Sequence, residues 1–463
     1  MVARLFLRLI ALIYLLAFWS LSVQILGLVG GQGILPARNF LNHISQYLGK
    51  ADFRQVPTLC WLNCSDGFLV GLCLAGCILA VFLFFGVLPW LTAFLLWLIY
   101  LSLTVVGQDF LGFQWDNLLL EAGFLCIFLF PFPQYWRWHK KQIPSKMVVW
   151  LLRLLLFKLM FESGLVKLLS GDPLWGNLSA LTYHYLTQPL PNIISWYMYQ
   201  LPLWFAKLSC LFVFVVELVV PFLIFFGSRT RWVAFWVLSV FQLLIILTGN
   251  YGFFNLLTIA LCFTLLDDKQ PQGQKDMHPL LLWHTLIVRL LLVIILAVDV
   301  VEIVSIPWPS WVGKTVGFIE PFRSINAYGL FAVMTTQRDE IIIEGSQDAI
   351  HWKEYEFYWK PGDVTRPPGW AMPYQPRLDW QMWFAALGDF RENSWVVKMM
   401  FSLLKGSKPV IGLLKFDPFA QSPPKYVRAL VYEYRFTDSV TKKQTHAWWQ
   451  RSYKGPYLPV LSL

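Results

Sequence analysis

Long apolar runs dominate this 463-residue chain and leave few folds open to it. A helix needs about 20 apolar residues to cross the hydrocarbon core of a bilayer. Hydrophobic residues make up 57% of the chain and charged residues 14%, whereas soluble domains have about 45–50% and roughly 25%. We predict nine membrane spans, at about 5–28, 66–86, 88–107, 115–131, 147–169, 203–227, 231–248, 251–266 and 283–306.

The charges between the spans predict how the chain is oriented. Arg4 and Arg8 flank the first span, and Lys and Arg are frequent in the connectors 131–147 and 227–231. Cationic loops stay on the cytoplasmic side of a membrane. The connector 172–202 falls on the opposite side, and it contains no Lys or Arg but four prolines and several Trp and Tyr. Nine spans also place the C-terminus outside.

The composition changes after residue 306. The remaining 157 residues contain 19 Lys or Arg and 14 Asp or Glu, as in a soluble domain. "DEIIIEGS", "WKEYEFYWK" and "KYVRALVYEYRF" are typical of strands, whereas "DWQMWFAAL" and "SWVVKMMFSLLKG" indicate helices. We therefore predict an α-helical multi-pass membrane domain at 1–306, a linker at 307–322 and a β-rich, sandwich-like domain at 323–463.

Four charged residues within the spans form a candidate intramembrane polar cluster: Glu121, Lys158, Glu162 and Glu217. A charge at the centre of a bilayer costs at least about 2.5–3.5 kcal/mol and needs a partner or a wet cavity. Lys158 and Glu162 are four residues apart on one helix face and can pair. Pro221 removes a helical hydrogen bond from the carbonyl of Glu217, so we expect a kink there.

Two interpretations of this cluster remain open. Its members either line a polar cavity open to the outside, together with His184, or form internal pairs that fix helix packing. Arg153 and Lys167 lie nearer the ends of their span, and we expect them to extend towards the interface. The sequence has no nucleophile, nucleotide or metal-binding motif, so we expect no cofactor and no metal.

Two smaller features lie in the predicted outside loops. Cys60 and Cys64 are four residues apart and either form a disulfide or remain free thiols, because no further pair follows for a zinc site. Asn63 and Asn177 begin Asn-x-Ser triplets and are candidate glycosylation sites in a eukaryotic host. The net charge of +10 is scattered beside the spans and does not indicate nucleic-acid binding.

Eight stretches together resemble the lipase maturation factor family of multi-pass membrane proteins. They are "QWDNLLLEAGFL" (114–125), "FKLMFESGLVKLLSGDPLW" (157–175), "LTYHYLTQPLPN" (181–192), "GNYGFFNLLT" (249–258), "INAYGLFAVMT" (325–335), "EGSQDAIHWKEYEFYWKPGDV" (344–364), "QPRLDWQMWFAAL" (375–387) and "PPKYVRALVYEYRF" (423–436). The resemblance implies an endoplasmic reticulum membrane protein that helps secreted lipases of the lipoprotein-lipase type to become active and assembled. It also implies that the connector loop lies on the lumenal side and contributes to client contact.

The connector's composition fits such a contact, because prolines reduce the entropy lost on binding and Trp and Tyr supply rigid, half-polar area. The same rings would also suit anchoring at the lipid headgroups, and that alternative stays open. The candidate client-contact residues are Trp175, Tyr183, His184, Tyr185, Gln188, Pro189 and Pro191.

Two alternatives remain open, one for the host organism and one for the function. A bacterial member would lie in the inner membrane with a periplasmic C-terminal domain. The membrane part also distantly resembles the carboxylase-type fold of vitamin-K-dependent membrane enzymes, which implies an intramembrane enzyme using buried Lys and Glu groups as the alternative function. Membrane lipids are expected partners in either case.

Overall fold

The computed structural model describes residues 2–48, 53–130, 144–267, 279–303 and 310–463. Nineteen α-helices lie within these ranges. They are α1 Val2–Ser22, α2 Ile25–Val29, α3 Ala37–Leu48, α4 Asp66–Phe84, α5 Pro89–Val106, α6 Gln114–Ile127, α7 Lys146–Leu169, α8 Pro173–Gly176, α9 Ala180–Thr187, α10 Ile193–Tyr199, α11 Leu203–Phe214, α12 Ser228–Thr248, α13 Phe254–Phe263, α14 Pro279–Ile303, α15 Ser310–Ile319, α16 Arg377–Ala385, α17 Ser394–Leu404, α18 Lys408–Ile411 and α19 Ser439–Thr445.

Five helical runs among the described residues are long and apolar enough to cross a membrane. They are α1, α4, α5, α12 and the run Leu203–Phe225, which extends α11. The predicted count of nine spans is not confirmed. The helices α6 and α13 have 14 and 10 residues, which at about 1.5 Å per residue give roughly 21 and 15 Å, against about 30 Å of hydrocarbon.

The run that begins with α11 departs from α-helical geometry where the sequence predicts a kink. A π-helical segment covers Val215–Val219, and a 3₁₀ segment covers Val220–Phe225 with Pro221 in its first turn. Pro221 has no N–H for the helical ladder, so the helix changes form at Glu217 and Glu217 itself is buried. The bend therefore turns a charged side chain into the helix bundle.

The membrane domain has two distinct ends, separated by α1, which is about 31 Å long. At the end where α1 begins, Arg153 and Arg231 line one pocket together with Val2, and both bond Asp267, at 3.2 Å and 2.7 Å. At the other end Gln24, just after α1, donates to Gln375 O at 2.8 Å and accepts from the Arg377 amide at 2.9 Å. The cation-rich end thus lies away from the C-terminal domain.

The C-terminal domain is built on one antiparallel sheet with the strand order β2-β1-β3-β4. The strands are β1 Arg338–Ser346, β2 Lys353–Glu354, β3 Tyr426–Phe436 and β4 Trp449–Leu461. Ile342 on β1 lies opposite Leu430 on β3. A second sheet is not found among the described residues, so the predicted sandwich is wrong. Buried side chains of the helices α16 and α17 supply the core that a second sheet would have supplied.

Candidate functional site

The connector 172–202 is held by its backbone. Five consecutive carbonyls, those of residues 186–190, each accept a hydrogen bond from a side chain outside the connector. Arg338 on β1 donates to three of them, at 2.9 Å to Leu186 and 2.8 Å to Pro189, and also to Gln188. Trp383 on α16 donates to Thr187 at 2.8 Å. The C-terminal domain therefore binds the connector through backbone carbonyls, which a connector of any sequence would present.

Two prolines explain why the backbone carbonyls of this stretch are available to accept hydrogen bonds from other parts of the chain. Pro189 and Pro191 have no N–H and fix φ near −65°, so they hold an extended backbone that cannot form a helix. Each unpaired carbonyl buried here would cost roughly 1–3 kcal/mol. The Arg338 guanidinium, which is only 1% exposed, satisfies three of them at once.

Arg338 is itself held within the C-terminal domain. Glu340 lies 2.7 Å from the Arg338 guanidinium and 3.0 Å from the Lys360 ammonium, and all three side chains are buried. Burial lowers the pKa of Arg338, and the charge of Glu340 opposes that shift. The guanidinium is thereby aimed from the sheet at the connector carbonyls.

The turn between α12 and α13, "GNYG", supplies the last of these hydrogen bonds to the connector. Asn250 donates to Leu190 O at 3.0 Å and to Gly369 O at 2.9 Å, and its own oxygen accepts from the Ala371 amide at 2.8 Å. Gly252 has φ +57° and lies against the Gln375 side chain, so a Cβ there would clash. The turn joins the membrane domain, the connector and the C-terminal domain.

The structure places most of the candidate client-contact residues inside the molecule. Trp175, Tyr185 and Gln188 are 3%, 7% and 1% exposed, and Pro189 and Pro191 are buried. Tyr183 and His184 are half-buried. Direct client contact by these seven side chains remains a prediction, and in this conformation five of them support the connector from within.

A cavity of about 400 Å³ lies beneath the connector, between α7 and α9–α13. Its wall is mostly apolar and is closed on one side by Leu330 and Phe331 of the C-terminal segment. Polar side chains are confined to a few positions, among them Lys167, Glu217, His184, Tyr251 and Asn255. A volume of this size is within the range of about 300–1,000 Å³ that small-molecule sites have.

Lys167 and Glu217 form a buried ion pair on the wall of this cavity. The Lys167 ammonium donates to both carboxylate oxygens of Glu217, at 3.0 Å and 2.8 Å, and to Ser163 O at 2.9 Å. Gly164 makes the approach possible, because a Cβ there would lie 2.9 Å from the Glu217 Cβ. The expectation that Lys167 extends to the interface is wrong, because Glu217 binds it inside the bundle.

Arg153 also stays within the protein. Its side chain is 7% exposed, and it donates to Thr264 O at 2.8 Å as well as pairing with Asp267. The guanidinium reaches the cation-rich end of the bundle and pairs there with Asp267, whose side chain is 47% exposed. Arg153 and Lys167 thus find their partners in later parts of the chain, which the sequence of α7 does not indicate.

A hydrogen-bonded chain crosses the cavity wall from the connector to α13. Gln188 donates to Thr248 O at 2.7 Å, and Tyr251 donates its hydroxyl proton to Gln188 Oε1 at 2.9 Å. The Tyr251 oxygen lies 3.1 Å from His184 Nε2, so Nε2 is the donor in that contact. Burial lowers the pKa of His184 to about 4, and the charge of Lys167 acts in the same direction.

The other members of the polar cluster meet at Tyr328. Glu162 accepts from the Tyr328 amide at 2.8 Å, Glu121 accepts from the Tyr328 hydroxyl at 2.8 Å, and the Lys158 ammonium lies 5.9 Å from the ring centroid. Glu121 also accepts from Asn326 at 2.9 Å. The cluster is therefore divided: three members hold the segment that precedes the sheet, and Glu217 lies apart with Lys167.

The remaining predicted residues lie in the outside loops. Cys60 is buried and Cys64 is half-buried, and both are free thiols. Asn63 and Asn177 are exposed, as glycosylation would require. Within the described ranges no group of three or more His, Cys, Asp or Glu could hold a metal ion.

These features define a class of protein. It is a multi-pass membrane protein whose C-terminal domain is locked onto one end of the helix bundle by buried hydrogen bonds. The family model of the lipase maturation factor transmembrane domain matches residues 1–272, and that of the lipase maturation factor C-terminal domain matches residues 324–459. The chain belongs to the lipase maturation factor family.

Individual relatives cover almost the whole chain. Lipase maturation factor 2 of Gallus gallus is 36% identical over 99% of this chain and 81% of its own length. Lipase maturation factor 2 of Homo sapiens is 35% identical over 99% and 82%, and lipase maturation factor 1 of Mus musculus is 34% identical over 99% and 86%. Comparison with solved structures gives no significant match.

Proposed function

We propose that this chain is a membrane-embedded maturation factor that assists the folding and assembly of secreted lipases on the lumenal side of the endoplasmic reticulum. Family membership over nearly the whole chain supports a role in lipase maturation. The observation that carries the lumenal assignment is the grip of Arg338 on the connector. It ties the C-terminal domain to the one long connector that lacks Lys and Arg.

The proposed topology follows from the two ends of the bundle. The membrane domain spans 1–306, and the domain 323–463 is lumenal together with the connector, with the loop that contains Asn63 on the same side. The cation-rich end, with Arg153 and Arg231, faces the cytoplasm. Asn63 and Asn177 are exposed and serve as glycosylation reporters. Glycan addition at both residues would support this orientation. It would be contradicted if neither residue were modified while a glycosylation tag inserted at 227–231 received glycans.

The client-binding surface is proposed to lie where α10 meets α19. We call it the α10–α19 face and define it by the exposed side chains of Ile193, Tyr197 and Val440, which are 42%, 55% and 62% exposed. Exposed apolar groups near an aromatic cluster are typical of a protein-binding surface. The seven connector residues predicted for client contact act mainly as the support of this face.

Lys442 joins the two halves of the α10–α19 face. Its ammonium lies 4.1 Å from the Trp196 ring, 5.5 Å from the Tyr197 ring and 3.1 Å from the Trp448 ring. Gln200 adds a hydrogen bond of 3.1 Å to Thr437 O. Cation–π contacts of this kind contribute about 0.5–2 kcal/mol each and keep α10 and α19 in one arrangement.

The test is rescue of lipase maturation in cells that lack the endogenous factor and express a secreted lipase of the lipoprotein-lipase type. The measured quantity is lipase activity per mass of secreted lipase. The wild-type chain should restore it, and the double variant Tyr197→Asp/Val440→Asp should reduce rescue at least tenfold at equal membrane abundance.

The control is Ile350→Asp, which places one such charge on an apolar side chain that is 75% exposed on the C-terminal domain. It should rescue like the wild type. Full rescue by the double variant would remove the α10–α19 face from the proposal, and failure of the wild-type chain to rescue would contradict the maturation role.

A further inference from the structure

The cavity beneath the connector has a chemical character that client binding does not use. Among its described lining residues the only charged side chains are Lys167 and Glu217, and they neutralise each other in a bidentate ion pair. The rest of the wall is apolar or carries neutral hydrogen-bonding groups. A ligand with a net charge would have to break this pair, whereas a neutral ligand leaves it intact.

Two hydrogen-bond acceptors on the cavity wall have no protein donor among the described residues. His184 donates from Nε2 to Tyr251, because the Tyr251 proton is committed to Gln188. The neutral ring therefore presents a bare acceptor at Nδ1, which has no protein hydrogen bond within the described part of the chain. Asn255, also on the wall, is 1% exposed, and its side-chain oxygen has no partner among the same residues. Two acceptors thus await hydroxyl or amine donors.

The mouth of the cavity indicates where a ligand would come from. Phe212, Leu244 and Leu247 line the cavity and are 42%, 45% and 44% exposed on the outer surfaces of α11 and α12. Both belong to helical runs long and apolar enough to cross a membrane, so this surface contacts lipid. A molecule entering between these helices comes from the bilayer and not from water.

We propose that this cavity binds a neutral single-chain lipid with free hydroxyl groups, of the monoacylglycerol class, taken from the leaflet next to the connector. The acyl chain lies along the apolar wall formed by α7, α11 and α12. The glycerol hydroxyls donate to His184 Nδ1 and Asn255 Oδ1. Because Trp175 and Tyr185 of the connector close the top of the same cavity, the bound lipid packs directly beneath the connector.

The experiment uses the full chain in nanodiscs with a monoacylglycerol that carries a photoactivatable diazirine and an alkyne in its chain. Labelled peptides are mapped by mass spectrometry. Labelling should be saturable, should fall within 159–167 and 205–258, and should be displaced by monooleoylglycerol at a concentration at least tenfold lower than by methyl oleate, which has no hydroxyl. His184→Phe should abolish that tenfold preference.

A matched pair of variants separates the cavity from the general lipid surface. Ser209 lines the cavity and Leu208 is 58% exposed beside it on α11. Ser209→Trp should fill the cavity and reduce labelling at least tenfold, whereas Leu208→Trp should leave it unchanged. Equal labelling of the two variants, or labelling that does not saturate, would overturn the proposal. Better displacement by oleate than by monooleoylglycerol would also overturn it, because the ligand would then be anionic.

Discussion

Arg377, the first residue of α16, makes a bidentate ion pair with Asp116 on α6, with nitrogen–oxygen distances of 2.6 Å and 2.8 Å. Tyr100 on α5 donates to the same carboxylate at 2.6 Å. All three side chains are buried. Burial alone would lower the pKa of Arg377, but the charge of Asp116 and the hydrogen bonds to Asp116 and Tyr100 raise it above its ordinary value. The Arg377 guanidinium of the C-terminal domain is thus buried against the membrane domain.

Replacing Arg377 with Met should weaken the attachment of the C-terminal domain to the helix bundle. The Asp116 carboxylate would remain buried without its cation, so we expect the free energy of unfolding in detergent to fall by about 3–5 kcal/mol. The double variant Arg377→Met/Asp116→Leu should recover part of that loss. Arg435→Met is the control, because Arg435 pairs with Glu433 on the surface. Equal unfolding midpoints for Arg377→Met and the wild type would contradict this role.

The Lys167–Glu217 pair should behave as a coupled unit. Lys167→Met and Glu217→Gln each leave the other residue without its partner inside the bundle, and each should lower the thermal unfolding temperature. The double variant Lys167→Met/Glu217→Gln should lose less than the sum of the two, as a double-mutant cycle measures. Additive losses would show that the two side chains do not stabilise each other.

The pH dependence of stability should report His184. Its pKa is about 4 in the folded chain, against about 6.5 when unfolded. The unfolded chain therefore binds the proton first, so stability is unaffected above about pH 6.5 and falls as the pH drops towards 4, by at most about 3 kcal/mol. His184→Phe should lose less stability between pH 7.5 and 4.5 than the wild type. Parallel curves for the two proteins would exclude this contribution.

Cys64 should be the most reactive thiol of the outside loops. A hydrogen bond with Cys60 lowers the pKa of Cys64, and Cys64 is half-buried whereas Cys60 is buried. More thiolate at neutral pH means faster alkylation. Iodoacetamide at pH 7.5, followed by peptide mapping, should modify Cys64 before Cys60, and Cys60→Ala should slow the reaction at Cys64. Faster alkylation of Cys64 in Cys60→Ala would contradict the assignment.

The local pattern of hydrophobic residues predicts those strands and helices whose periodicity follows from a single environment along their length. The strands β1 and β3 and the helices α16 and α17 occur where alternation or helical spacing indicates them. The strand β4 was not predicted, because Pro456 and Pro459 interrupt its pattern. It still pairs with β3, and its bulges absorb the irregularity at the edge of the sheet. The segment "WKEYEFYWK" forms a strand only at Lys353–Glu354.

The site could be predicted only in part, because its key contacts join positions far apart in the chain. Glu217 and Lys167 are 50 residues apart, and Arg338 is about 150 residues from the connector that it binds. The connector is bound through its backbone carbonyls, which are present whatever its side chains are. The sequence therefore does not indicate these contacts. Its prolines and its lack of cations did identify the segment, but its burial depends on the position of the C-terminal domain.

The most direct test of the maturation role is photo-crosslinking at the α10–α19 face in living cells. A photoreactive amino acid is placed at Val440 or, as the control, at Ile350 in the full chain, and a secreted lipase is co-expressed. The crosslinked lipase is then quantified during its maturation. We predict a crosslink from position 440 that disappears as the lipase leaves the endoplasmic reticulum, and none from position 350. Equal crosslinking from the two positions, or none from 440 while the chain restores lipase activity, would contradict the proposed face.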